Sequence, residues 1–301
     1  MAELVQQLVN GLSNGAIYAL IALGYTMVYG ILRLINFAHG EVFMVGAFAG
    51  LATQRLGGAE LRGPAGLALA IVVAGVAGAA TAFLIERLAY RPLRGKPRII
   101  VLITAIGVSI LIQNIVAIAT DARPSFWQPV FVNESESAVY LITPFLTVAD
   151  AFVIGGAFLL MGFLQLVVYR TRMGRAMRAV SQNLEVAALM GIHTGRVISF
   201  TFILAGFLAG AGAVLVGQKN GSVSYIMGLL PGLKAFVAAV LGGIGSIPGA
   251  LVGGLLLGCA ETFVAAYVSS NYRDAIAFGI LIVVLLVRPS GIFGRYVPEK
   301  V

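Results

Sequence analysis

Residues 21–52 read IALGYTMVYGILRLINFAHGEVFMVGAFAGLA. Almost every side chain is apolar, small or absent, yet Arg33 and the run Asn36-Phe37-Ala38-His39-Gly40-Glu41 interrupt the stretch near its middle. An ionisable side chain deep in a bilayer costs about 2.5–3.5 kcal/mol on insertion scales and normally faces protein or a water-filled cavity. The stretch therefore reads as two membrane segments joined by a polar break. Freed backbone groups at such a break are tolerated only where they are buried in protein or line a cavity.

The rest of the chain obeys the same solvent. Of 301 residues, 59% are hydrophobic and 11% charged, with a mean hydropathy of +0.98, whereas soluble domains carry about a quarter charged residues. Apolar blocks of about 17 to 25 residues fall near 8–32, 34–54, 64–86, 98–119, 147–169, 196–217, 226–243, 247–268 and 274–288. The fold class expected is an all-α, polytopic transmembrane helical bundle of about eight or nine spans, one domain over 1–301. The blocks 34–54, with its polar opening, and 226–243, with Pro231 and Lys234, are the candidates for broken or re-entrant segments. The 38 glycines suit helices that approach closely. Gly245, Gly249 and Gly253, four apart, form a packing stripe, with Pro248 at a turn or helix start. A likeness between 36–50 and 242–258, each a polar break before a glycine-striped helix, hints at an internal repeat.

Charge sets the orientation expected. ERLAYRPLRGKPR (86–98) holds five cations; YRTRMGRAMRAV (169–180) holds Arg170, Arg172, Arg175 and Arg178; the tail adds Arg288, Arg295 and Lys300. The positive-inside rule puts all three in the cytoplasm, the C-terminus with them. The segment 120–147, with Asp121, Glu134 and Glu136 against Arg123, belongs outside. The net charge of +8 is thereby accounted for by topology, and no nucleic-acid partner is implied. The N-terminal segment lacks the basic stretch of a secretory signal and is read as part of the mature protein.

From Thr171 to Arg196, Met177, Val180, Leu184, Ala187 and Met190 or Gly191 recur at helical spacing. This is read as a cytoplasmic amphipathic helix over about 174–191, ended by Gly191. It either lies on anionic lipid or docks a soluble partner. The run Glu185-Val186-Ala187-Ala188-Leu189-Met190-Gly191 resembles the coupling loop of ABC importer permeases, with Val186 in place of that pattern's first alanine.

Further stretches carry the resemblance along the chain: LGYTMVYGILRLINFAHGEVFMVGA (23–47), YRPLRGKPRIIVLITAIGVSILIQN (90–114), GRAMRAVSQNLEVAALMGI (174–192), KAFVAAVLGGIGSIPGALVGGLLLGCAE (234–261) and LVRPSGIFG (286–294). Together they are similar to the permease subunits of branched-chain amino acid ABC importers, of the LivH type. The resemblance implies an ABC importer permease fold in a bacterial or archaeal inner membrane. It implies four further partners: a second related permease, two ATP-binding subunits holding ATP and Mg, and an extracytoplasmic binding protein that delivers an amino acid such as leucine. It also implies coupling to the ATPases through Gly174, Arg178, Glu185, Ala187, Ala188 and Gly191. Permeases of urea or short-amide importers are the alternative, and an ion-coupled secondary transporter a further one.

The chain itself has no sequence for catalysis. No G-x-x-x-x-G-K-[ST] phosphate loop is present, since Gly95-Lys96 continues into Pro97. His39 and His193 are the only histidines, and Cys259 the only cysteine, so no metal cluster and no disulfide is expected. No cofactor is expected on this chain. The candidate translocation path is Asn36, His39 and Glu41, with Thr104, Gly107, Ser109, Gln113 and Asn114 of the fourth span; the alternative is helix-to-helix contact for all of them, and for the first three also a place at the cytoplasmic interface just after Arg33.

Overall fold

A computed structural model describes residues 2–58, 63–128 and 145–294. Most of the loop expected at 120–147, with Glu134 and Glu136, lies outside the described residues, as do Arg295 and Lys300. Eleven α-helices make up nearly all of what is described: α1 (Ala2–Leu32), α2 (His39–Leu56), α3 (Pro64–Ile85), α4 (Arg98–Ala119), α5 (Val148–Arg170), α6 (Arg172–Gln182), α7 (Leu184–Leu189), α8 (Thr194–Asn220), α9 (Leu229–Gly242), α10 (Ile247–Tyr267) and α11 (Arg273–Val287). One two-stranded antiparallel pair joins β1 (Ser125–Phe126) to β2 (Ser222–Val223).

Seven helical stretches of the described residues are long and apolar enough to cross a bilayer: α1, α3 with the turns that follow it (Pro64–Leu93), α4, α5, α8, α10, and α11 with the turn that precedes it (Ser270–Val287). The two segments suspected of being broken are not among these seven, α2 although it has 18 residues. At 14 residues, α9 rises about 21 Å, well under the roughly 30 Å of a hydrocarbon core, and it is preceded by a non-helical stretch at 221–228. Before α2 the chain is non-helical over 33–38, and Gly40 lies inside α2 rather than at the break.

Glycine contacts fix the packing. In α1 and α10, Gly11 meets Cys259 and Gly15 meets Leu255, so the two run antiparallel. In α8 and α3, Gly206 meets Gly78 and Gly210 meets Ala74, also antiparallel. Beside α8, α2 runs parallel, Gly46 against Gly210 and Gly50 against Val214. Beside α1, α9 runs parallel, Lys234 near Tyr18 and Phe236 near Tyr25. The fourth helix of each set, α4 and α11, packs on α2 and α9 respectively. Helices α1–α4 and α8–α11 are thus two copies of one arrangement with reversed chain direction, an inverted repeat. The repeat register differs from that expected: α2 corresponds to α9, so the partner of 36–50 is the start of α9 and not 242–258. The glycine stripe of α10 misled because Pro248 and the Ser246 cap on the Gly249 N–H, 3.1 Å, mark the start of the third helix of its set.

On α10, Gly249 and Gly253 press against the backbone of α9 at Gly242 and Ala238. Gly245 is not on that stripe: at φ +95° it turns the chain between α9 and α10, and a Cβ there would meet nothing within 4 Å.

Candidate functional site

The two breaks meet at the centre of the repeat. Gly40, in the first turn of α2, and Gly228, which caps α9, lie backbone against backbone, and a Cβ on either would overlap the other's carbonyl. Two helix N-termini therefore converge on one point inside the bundle. Glu41 sits in the first turn of α2, where the helix dipole favours a carboxylate.

Asn36, His39 and Glu41 are each 2% exposed or less, and each reaches a different neighbour. The Asn36 Oδ1 accepts from the Tyr90 hydroxyl at 3.2 Å. The His39 ring meets Tyr25 edge-on, centroids 5.0 Å apart, and fills the space above Gly24. Ser109 of α4 donates to Glu41 Oε1 at 3.2 Å. These contacts tie the break to α1, α4 and the π-helical turn Glu86–Tyr90 that ends α3. Among the described residues Asn36 Nδ2, His39 Nε2, Glu41 Oε2 and Thr26 Oγ1 have no protein partner, an unusual density of unsatisfied buried groups.

The other candidate path residues are not at this centre. Thr104 and Asn114 bond their own helix at the Ile100 and Ile110 carbonyls. Gly107 and Asn114 are exposed, and Gln113 is partly so. Only Val101 and Ala105 of α4 are buried; Ser109 faces inward to Glu41, while Gly107 and Asn114 lie on the outside of the bundle.

Two further buried charge groups are paired inside the bundle. Glu261, fully buried, accepts from Tyr18 at 2.8 Å and pairs with Lys234 at 3.1 Å, and Lys234 also meets Asp274 at 2.7 Å. Toward the opposite end, buried Glu86 pairs with Arg94 and accepts from Ser199 at 2.8 Å. A lysine and a glutamate, each alone in an apolar helix, were the available signal: such groups are buried only when paired.

The amphipathic segment is two helices. Asn183 adopts an extended conformation (φ −156°, ψ 115°) and its side chain caps α7 through the Glu185 and Val186 N–H groups, both 3.0 Å. Met177, Val180 and Ala187 are buried, whereas Leu184 points out, because the cap breaks the single face expected. Gly174 lies against the Val167 and Val168 carbonyls, and Arg178 bonds the Val168 carbonyl and stacks over Tyr169. Those two residues dock α6 on α5. Glu185, Ala188 and Gly191 are exposed, beside Val186, Leu189 and Met190 at 52%, 87% and 78% exposure. Gly191 has φ +82° and open space around it.

The family model described as branched-chain amino acid transport system, permease component, matches residues 7–285. The high-affinity branched-chain amino acid transport system permease protein BraD of Pseudomonas aeruginosa is 47% identical over 99% of this chain and 98% of its own length. LivH of Escherichia coli K12, described in the same words, is 45% identical over 99% and 97%. A probable branched-chain amino acid transport permease protein LivH of Methanocaldococcus jannaschii is 28% identical over 91% and 88%.

Proposed function

Since the chain belongs to the family of permease components of branched-chain amino acid transport systems, we propose that it is the membrane-spanning subunit of an ATP-driven importer for these amino acids. It is a multi-pass transport subunit and not an enzyme. ATP and Mg act on two partner subunits, a second permease completes the path, and a binding protein delivers the substrate from outside.

Orientation follows from the arginines. With Arg87, Arg91 and Arg98 between α3 and α4, and Arg170, Arg172 and Arg175 around α6, these ends lie in the cytoplasm. On this reading the helix directions alternate with Ala2 outside and the chain beyond α11 inside. The observation that carries the coupling role is the exposed apolar set Val186, Leu189 and Met190 on α7, at the end of the molecule assigned to the cytoplasm. Side chains of that kind outside the bundle need a partner, and the ATPases supply it.

The path runs along the outer face of α4 rather than through the chain. Gln113, Asn114, Thr104 and Gly107 offer weak polar and small contacts on a helix that has almost no cover from the described residues. That surface suits a zwitterion with an apolar side chain, which must pass without being trapped. Lys234 neutralises Glu261, leaving Glu41 as the one buried acid without a cation among the described ion pairs, too few for ion-coupled transport.

The test is reconstitution with the co-expressed partner subunits in liposomes, measuring ATP hydrolysis as loaded binding protein is added. Stimulation with leucine but not urea is expected. Stimulation with urea alone shifts the substrate to short amides, and leucine uptake driven by an ion gradient with no ATPase attached overturns the reading.

A further inference from the structure

Trp127 is the only tryptophan of the chain and, at 2% exposure, its largest buried side chain, although it belongs to the connection after α4 and to no helix. Its ring lies over Gly50 of α2 and Gly217 of α8, where any side chain would collide with it. Its backbone N–H donates to the Gly221 carbonyl at 3.0 Å, continuing the ladder in which Ser125 faces Val223 and Phe126 faces Ser222. Beside it the Gln54 amide donates to the Gln128 carbonyl at 3.3 Å. The connection is therefore stapled to the ends of α2 and α8 and to the strand that opens the 221–228 break. That break ends at Gly228, against Gly40 at the centre of the repeat.

We propose that Trp127 is a positioning residue through which a binding protein docked on the extracytoplasmic end is registered at the Gly40–Gly228 centre. The inference rests on the importer reading above. A load on the staple shifts 221–228, and with it the N-terminus of the short helix α9, which lacks the length to anchor in both interfaces. The indole is rigid and fully enclosed, so displacement of the connection is passed on rather than absorbed.

The experiment compares basal with binding-protein-stimulated ATP hydrolysis in the reconstituted complex. In the Trp127→Ala complex, binding-protein docking, subunit assembly and basal hydrolysis are retained and stimulation falls to the basal rate, while Trp127→Phe keeps most of it. A second variant rebuilds the staple covalently. Phe126 and Ser222 are an exposed, non-hydrogen-bonded pair, whose Cα atoms lie about 4.5 Å apart in such ladders, within disulfide reach. Trp127→Ala with Phe126→Cys and Ser222→Cys regains stimulation when oxidised and loses it when reduced. Normal stimulation of Trp127→Ala overturns the proposal. So does a crosslinked complex that docks the binding protein without being stimulated, or one that fails to assemble even when oxidised. Absence of stimulation in the unmodified complex refutes the importer reading instead.

Discussion

At Gly40 one missing methyl group decides how two halves of the molecule meet. A Cβ there enters the Gly228 carbonyl, and both partners are backbone, so no rotamer change relieves the overlap. Gly40→Ala should therefore destabilise the purified complex by about 1–3 kcal/mol, the usual range for overpacking, read as a lower thermal midpoint; an unchanged midpoint contradicts the contact. Glu261 makes a second case. With its side chain gone, Lys234 keeps the half-exposed Asp274 and the Tyr18 ring but loses its buried anion, and breaking a buried pair costs about 3–5 kcal/mol. Glu261→Ala should thus be far more damaging than Lys234→Met combined with Glu261→Leu, which removes both charges. Equal loss in the two variants would mean that packing, not charge, holds α9 to α10.

At the scale of elements, boundaries were legible wherever polarity changes. The starts of α3, α4, α5, α10 and α11 fall within a residue or two of the apolar blocks, because lipid leaves a hydrophobic run no other place. The kink in the amphipathic segment was missed, though Asn183 two residues before Glu185 is a helix-start signal; the heptad-like spacing of Met177, Val180 and Leu184 masked it. What Gly40 or Lys234 touches depends on residues distant in sequence, and no local pattern reports that. Of the residues read as a coupling surface, Gly174 and Arg178 hold α6 to α5, while Glu185, Ala188 and Gly191 face outward. Gly191→Arg puts a bulky cation at a left-handed φ, a conformation costing about 1–2 kcal/mol for a residue with a Cβ, in the exposed turn that ends α7. Gly191→Arg and Glu185→Lys should each abolish uptake while leaving membrane insertion intact and ATP hydrolysis uncoupled. Normal uptake at normal expression in either variant removes α7 from the coupling path.

For the whole molecule, the inverted repeat leaves two helices unsheltered, α4 with two buried residues and α11 with Ala277 alone. They occupy the same position in the two halves, yet they are not alike. The first turn of α11 is held by Lys234–Asp274 and Arg273–Glu261, and the chain just beyond it bonds back to Leu241 and Gly242 through Ile292 and Phe293. Its exposed face is wholly apolar over 275–287 and suits lipid. From Ile106 onward α4 has no buried residue, and it exposes Asn114 among Ile110, Leu111, Ile115 and Ile118. An amide on that face is poorly placed in hydrocarbon and well placed at a seam with a second permease that also lines a polar path. Cysteine at Asn114 should therefore crosslink to the second permease when the complex is treated with a short thiol-reactive reagent, and substrate should slow the reaction. Cysteine at Val283 on α11, exposed to a similar degree as its neighbours, should not. The reverse pattern would put the seam on α11 and leave α4 to the lipid, and the path along Gln113 and Asn114 would fall with it.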